Sequence, residues 1–246
     1  MILRRITKHV KDQNWFAVGS DFFIVVVGVY IGIQVSICNA SQLERREEAA
    51  IIERLQSDFE RIQEDSDRSL AFHRALTEDL RTMVRALRSG VLRDEDIPAF
   101  ERALFKGLNF QTSADRSGSF TELMSSGRGN ILRDRDLLHA LVDYEDFLER
   151  FAVAGKHNLD SALLVTGAFT SSFEYDVDLR ITDDTIAEGS GVQFPVAYDF
   201  GALAGDPAFH NAAEELMFLQ SNFTLWRSRI SDRVEDIQEQ LAESTQ

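Results

Sequence analysis

Cysteine is almost absent: Cys38 is the single one among 246 residues. That excludes an intramolecular disulfide framework and a Cys-built zinc site within one chain. Three prolines and 14 glycines exclude collagen-like and proline-rich classes. Basic residues are scarce, 26 against 41 acidic, and the formal charge is −15. A nucleic-acid binder needs a basic footprint to neutralise phosphates, so nucleic acid is excluded as a partner. GxGxxG, P-loop, GxSxG and HExxH patterns are also missing, and with them the usual phosphate, nucleophile and zinc signatures. The sequence therefore assigns no catalytic residue, no cofactor and no metal site.

What is present is one long apolar run. Residues 15–37 read WFAVGSDFFIVVVGVYIGIQVSI. As a helix this stretch rises about 34 Å, against a bilayer core of about 30 Å. A buried core helix is the reading for a shorter run. A cleaved signal peptide has an apolar region of about 7–15 residues, although Cys38-Asn39-Ala40 offers a small-x-small site. Arg4, Arg5, Lys8 and Lys11 stand against Asp12 before the run. Positive flanks stay in the cytoplasm. The expectation is a single-pass protein of a bacterial inner membrane: residues 1–14 cytoplasmic, 15–37 transmembrane, 38–246 a periplasmic domain. That domain carries most of the acidic excess, so anionic headgroups repel it.

Gly28, Gly32 and Ser36 recur every four residues within the run. They form a small-residue stripe, the geometry that lets membrane helices approach closely; glycine is also common in membrane helices without such a role. Asp21 and Gln34 are the polar residues of the span. Ionisable groups there are costly. Asp21 either sits hydrated at the interface or meets a cationic or amide group of another membrane protein.

Two patches resemble a known family. The first is a basic N-terminus followed by Gly19-Ser20-Asp21, an apolar run with Gly28, then Ile33-Gln34-Val35 and Asn39. The second is Phe120-Thr121-Glu122-Leu123-Met124-Ser125-Ser126-Gly127, followed by Ile131, Asp134, Leu137-Leu138 and Tyr144. Together they resemble a widespread, uncharacterised bacterial family of single-span inner-membrane proteins, with an acidic residue near the start of the span and an "ELxSSG" turn before a helix. This chain departs at Cys38, where the family usually has Trp, and at Ala40, where it usually has an acid. The resemblance implies a location and a helical body, and no activity.

The rest of the chain reads as mainly α. From Ser41 to Ser89 there is no Pro or Gly. Ile52, Leu55, Phe59, Ile62, then Leu76, Leu80, Met83 and Leu87 step by threes and fours, as in an amphipathic helix or coiled coil. The polar stretch Glu64–Ser69 is where a break or kink is expected. Gly90 is a C-cap candidate, and Asp96-Ile97-Pro98 a helix start. A short helix is expected from Ser119 or Thr121 to near Gly127. A longer one opens at Arg133-Asp134 and continues to about Phe173. Residues 174–200 are rich in Asp, Thr and Gly and read as an irregular or β excursion, a hairpin candidate. Asp206-Pro207 starts the last helix, whose final two turns are polar enough to fray. The expected architecture is an antiparallel helical bundle whose main struts are the long N-terminal helix and the C-terminal helix. Eighteen phenylalanines suit its core.

Chemistry is sparse. Ser125, Ser126, Gly127 and Arg128 form a small-residue turn that either binds an anion through backbone amides or closes a helix with a left-handed glycine. The histidines are His9, His73, His139, His157 and His210; His139 with Asp143, His157 with Asp160 and His210 with Glu214 are pairs spaced by one helical turn. Such pairs ligate a metal only when two helices present them together. Cys38 is either an intermolecular disulfide candidate or a small apolar residue. The functional expectation is a non-catalytic accessory or scaffold subunit that meets other integral membrane proteins, or a second copy of itself, in the bilayer. The alternatives are a ligand-sensing module that signals through a partner and an enzyme with an unrecognised site.

Overall fold

From Ile33 to Ser89 no proline or glycine interrupts the chain, and the backbone of that stretch is one helix. The computed structural model describes residues 15–110, 115–175 and 196–244, with side chains from residue 22 onward. The expectations for residues 1–14, the Asp21 side chain and residues 176–195 of the hairpin candidate lie outside the described residues. The molecule is mainly α, with 86% of the described residues helical, and divides into residues 1–51 and residues 52–246.

Helix α1 is Trp15–Ser89. Within the first unit it is long and apolar enough to cross a membrane, and its apolar window buries nothing.

Within the second unit α1 is joined by α2 (Ile97–Lys106), α3 (Gly118–Ser125), α4 (Arg135–Thr170), α5 (Phe200–Gly205) and α6 (Pro207–Glu243). The expected break at Glu64–Ser69 does not occur. Ser66 is fully buried there and Leu70 follows on the core face, while Gln63 and Ser231 both donate to Asp67 Oδ1. Tertiary contact on one face overrides weak local propensity. Gly90, at φ +68°, ends the helix. The first turn of α2 contains Pro98, and a 3₁₀ turn, Asp94–Asp96, precedes it.

Carboxylates start three helices. Asp134 accepts the N–H groups of Asp136 and Leu137 at α4. Asp199 does the same for Gly201 and Ala202 at α5. Asp206 accepts the N–H of Ala208 at α6. Each satisfies donors that the first turn leaves without partners. Helix α5 falls beside the stretch read as irregular; its signal was this capping Asp before a short apolar run. The excursion closes a two-stranded antiparallel sheet, β1 (Glu174–Tyr175) with β2 (Val196–Ala197), Tyr175 facing Val196.

The long helices run antiparallel. Along α1 and α6, Gln56 meets the Leu241 carbonyl, Gln63 meets Ser231, Thr77 meets Thr224 and Arg88 meets Glu214. Along α4 and α6, Phe147 meets Trp226, Phe151 meets Phe223, and Phe169 stacks on Phe209 at 5.3 Å. Leu55, Phe59, Ile62, Leu80, Met83, Phe100, Leu137, Phe169, Phe209, Leu216 and Ile230 are completely buried, each contributing about 1.5–3 kcal/mol. The end of α6 does not fray. Leu241 is buried, Gln56 donates to its carbonyl at 3.2 Å, and Ser244 reaches Asp134 at 3.0 Å.

Candidate functional site

The stripe Gly28, Gly32 and Ser36 lies on one exposed face of α1. A methyl group added at Gly28 or Gly32 meets nothing within 4 Å. Gln34 and Cys38 are exposed as well. Around them Phe22, Phe23, Ile24, Val25, Val29, Tyr30, Ile31, Ile33, Val35 and Ile37 are each more than half exposed. Leaving such a band in water costs on the order of 20 kcal/mol at about 1.5–3 kcal/mol per large side chain. An apolar environment must cover it.

The turn at Ser125–Arg128 has a definite job. Gly127 takes φ +70°. Its N–H donates to the Met124 carbonyl at 3.0 Å, and the Arg128 N–H donates to Leu123 at 3.1 Å. This is the Schellman closure of a helix. The Ser125 and Ser126 hydroxyls also turn back to α3 carbonyls. The amides that an anion would need already face α3, so the "ELMSSG" stretch is a helix stop.

The bundle interior turns polar at mid-height. His73 on α1 and Gln220 on α6 are fully buried. His73 Nδ1 lies 3.2 Å from Gln220 Oε1, and the Gln220 amide donates to the Asn109 carbonyl at 2.6 Å. The Thr77 and Thr224 hydroxyls are 2.9 Å apart. Phe72 and Phe223 flank the His73 ring edge-on. Two turns along α6, the Arg227 guanidinium is completely buried and donates twice to Asp115, at 2.6 and 3.1 Å. The Tyr144 hydroxyl on α4 donates to the Asp115 carbonyl at 2.7 Å. Burial, and then the Asp115 charge, push the Tyr144 phenol up. Just beyond, the Ser117 hydroxyl and the Ser119 N–H both donate to Asp58 on α1. These bonds, with Arg61 nearby, hold the Asp58 carboxyl below its usual range against the opposing effect of burial.

The connection from α2 to α3 is thus tied to all three long helices. Buried pairs of this kind add little over a hydrophobic isostere, but removing one partner costs about 3–5 kcal/mol. Sequence reasoning missed Asp115, Gln220 and Arg227. A signal existed: Gln220 and Arg227 occupy stripe positions between Leu216, Phe223 and Ile230, where polar residues are out of pattern. A second polar group sits on α1 and α2, where Arg102 donates twice to Asp79 at 2.6 and 2.9 Å. Burial pushes the Asp79 carboxyl up and, with Arg102 adjacent, pushes the neighbouring Lys106 ammonium down.

The histidine pairs do not converge. His139 and His157 are exposed. Asp160 pairs with Lys156, and Glu214 with Arg88. His210 Nε2 lies 3.0 Å from the Ala204 carbonyl. Among the described residues no three of His, Cys, Asp and Glu come together as metal ligands. Comparison with known proteins finds no matching family model, no matching curated protein and no matching solved structure.

Proposed function

We propose that this chain is a non-catalytic, single-pass accessory or scaffold subunit of a bacterial inner membrane. Residues 1–14 lie in the cytoplasm, residues 15–37 span the bilayer, and the helical domain stands in the periplasm. It meets another integral membrane protein, or a second copy of itself, through its membrane helix. The observation that carries this reading is the exposed apolar band from Phe22 to Ile37, which needs lipid or a protein partner around it. The four basic residues before it support the orientation. The likeness of residues 19–39 and 120–144 to single-span bacterial proteins supports the location. The Gly28, Gly32 and Ser36 stripe is the proposed contact.

The test is extraction of the tagged full-length protein in mild detergent, with sizing and mass spectrometry. A stoichiometric larger complex, reduced in size by Gly28→Ile with Gly32→Ile, is expected. A monomer in both forms overturns the reading. Protease added to intact spheroplasts should degrade the bundle. Protection there, with digestion in inverted vesicles, reverses the topology.

A further inference from the structure

Helix α4 carries two stripes. The inner one, Phe151, Asn158, Ala162 and Phe169, is buried in the bundle. The outer one, Val153, Lys156, Asp160, Leu163 and Gly167, steps by three and four residues and is exposed throughout. That is the spacing of a coiled-coil seam. Val153 is 73% exposed, Leu163 62% and, beside it, Leu164 86%. A methyl group added at Gly167 meets nothing within 4 Å among the described residues. Scattered surface leucines are ordinary. These crowd between Val153 and Leu164, whereas α1 from Ile52 to Ser89 exposes no large hydrophobic side chain.

Charge is missing from the same face. Residues 161–173 contain no acidic or basic side chain and no histidine, in a chain that is 27% charged. The outer face of a helix in water is where charges ordinarily gather. The two charges on the seam, Lys156 and Asp160, cancel. They pair within the chain at 2.8 Å on an exposed surface, where such a pair contributes little.

This pattern selects the occupant. Two copies, each at −15, repel one another wherever acidic surfaces meet. The α4 seam is neutral, so they approach there without that cost. A two-fold axis also makes the contact self-complementary. Lys156 and Asp160 occupy successive seam positions, so each lysine comes beside the aspartate of the other copy whichever way the two helices run. Lipid suits the seam less, because both charges would enter hydrocarbon. We propose that the outer face of α4 is an interface between two copies of this chain. Val153, Leu163 and Leu164 are its apolar contacts, and Lys156 and Asp160 its cross-chain ion pairs. A seam of about four turns is small beside a standard interface of about 1,600 Å², so the pairing is weak and reversible. It stands apart from the membrane contact proposed above.

The test is analytical ultracentrifugation of the full-length chain in mild detergent. Gly28→Ile and Gly32→Ile are present throughout, so that failure of the membrane contact and failure of this one read separately. A monomer–dimer equilibrium with Kd at or below about 100 µM is expected. Leu163→Asp with Leu164→Asp should weaken it at least about tenfold, because like charges then face each other across the axis. Val91→Asp, on an exposed residue outside α4, should leave it unchanged. Lys156→Asp should weaken pairing about tenfold, and adding Asp160→Lys should restore it. A thermal melt accompanies each variant. A monomer up to about 500 µM overturns the proposal. So does a dimer indifferent to the α4 substitutions, or no recovery in the charge-swapped variant. A lowered melting point in Leu163→Asp with Leu164→Asp overturns it as well, since the face is then covered from within its own chain.

Discussion

Helix α1 contains two stretches that obey different rules. Between Phe22 and Ile37 its large apolar side chains point outward all around. Between Leu55 and Leu87 it buries a single stripe, with Leu55, Phe59, Ile62, Leu80 and Met83 at zero exposure and charged residues opposite. The backbone is the same helix throughout. The difference lies in what solvates each part. A helix apolar on all sides needs an apolar environment, whereas a striped one finds its environment in its own chain. Changes in the bundle should therefore register as stability, and changes in the apolar stretch as association.

The largest expected effect is at the buried ion pair. Arg227→Ala leaves Asp115 charged and enclosed, and should lower bundle stability by about 3–5 kcal/mol. Urea unfolding of the full-length protein in mild detergent measures this; a loss below about 1 kcal/mol would make the pair superficial. Next comes the end of α6. Leu241→Ala should cost about 2–5 kcal/mol if the last turns are core, and almost nothing if they fray. The same unfolding curves decide between the two.

Smaller effects follow at the caps. Asp134→Ala should cost about 0.5–2 kcal/mol. The Leu137 N–H, the Ser244 hydroxyl and the Asp136 N–H hold the Asp134 carboxyl below its usual range, and Asp58 shifts the same way. An unfolded aspartate titrates near 3.9. The stability these groups contribute is therefore fully present above about pH 4 and is lost as pH falls through their lower folded values. Thermal midpoints should fall on acidification below that point, and Asp134→Asn should shrink the fall; an identical pH profile in the variant would remove Asp134 from the account. The smallest effect sharpens the comparison most. Gly28→Ile with Gly32→Ile should leave bundle unfolding unchanged, because an added methyl group meets nothing at either position. A shift in the unfolding curve would show that the two stretches are not energetically separate.

Several elements were legible from local chemistry alone. Gly90 and Gly127 end helices because only glycine takes a positive φ without strain, and Asp134 and Asp206 start them because a short carboxylate reaches the first free N–H groups. The turn at Ser125–Arg128 offered two readings, and hydrogen bonding within α3 accounts for its amides. Glu64–Ser69 and the end of α6 were misjudged for one reason. Their polarity is local, whereas Asp67 is held by Ser231, 164 residues away, and Leu241 by Gln56, 185 residues away. Asp115 was invisible because its partner, Arg227, stands 112 residues downstream.

By itself the sequence determined the apolar stretch, the helical body and the helix ends, since hydropathy, periodicity and capping act over a few residues. Only the tertiary structure decided which polar residues are enclosed and which ion pairs form. Those outcomes depend on the desolvation and geometry that distant segments impose on one another.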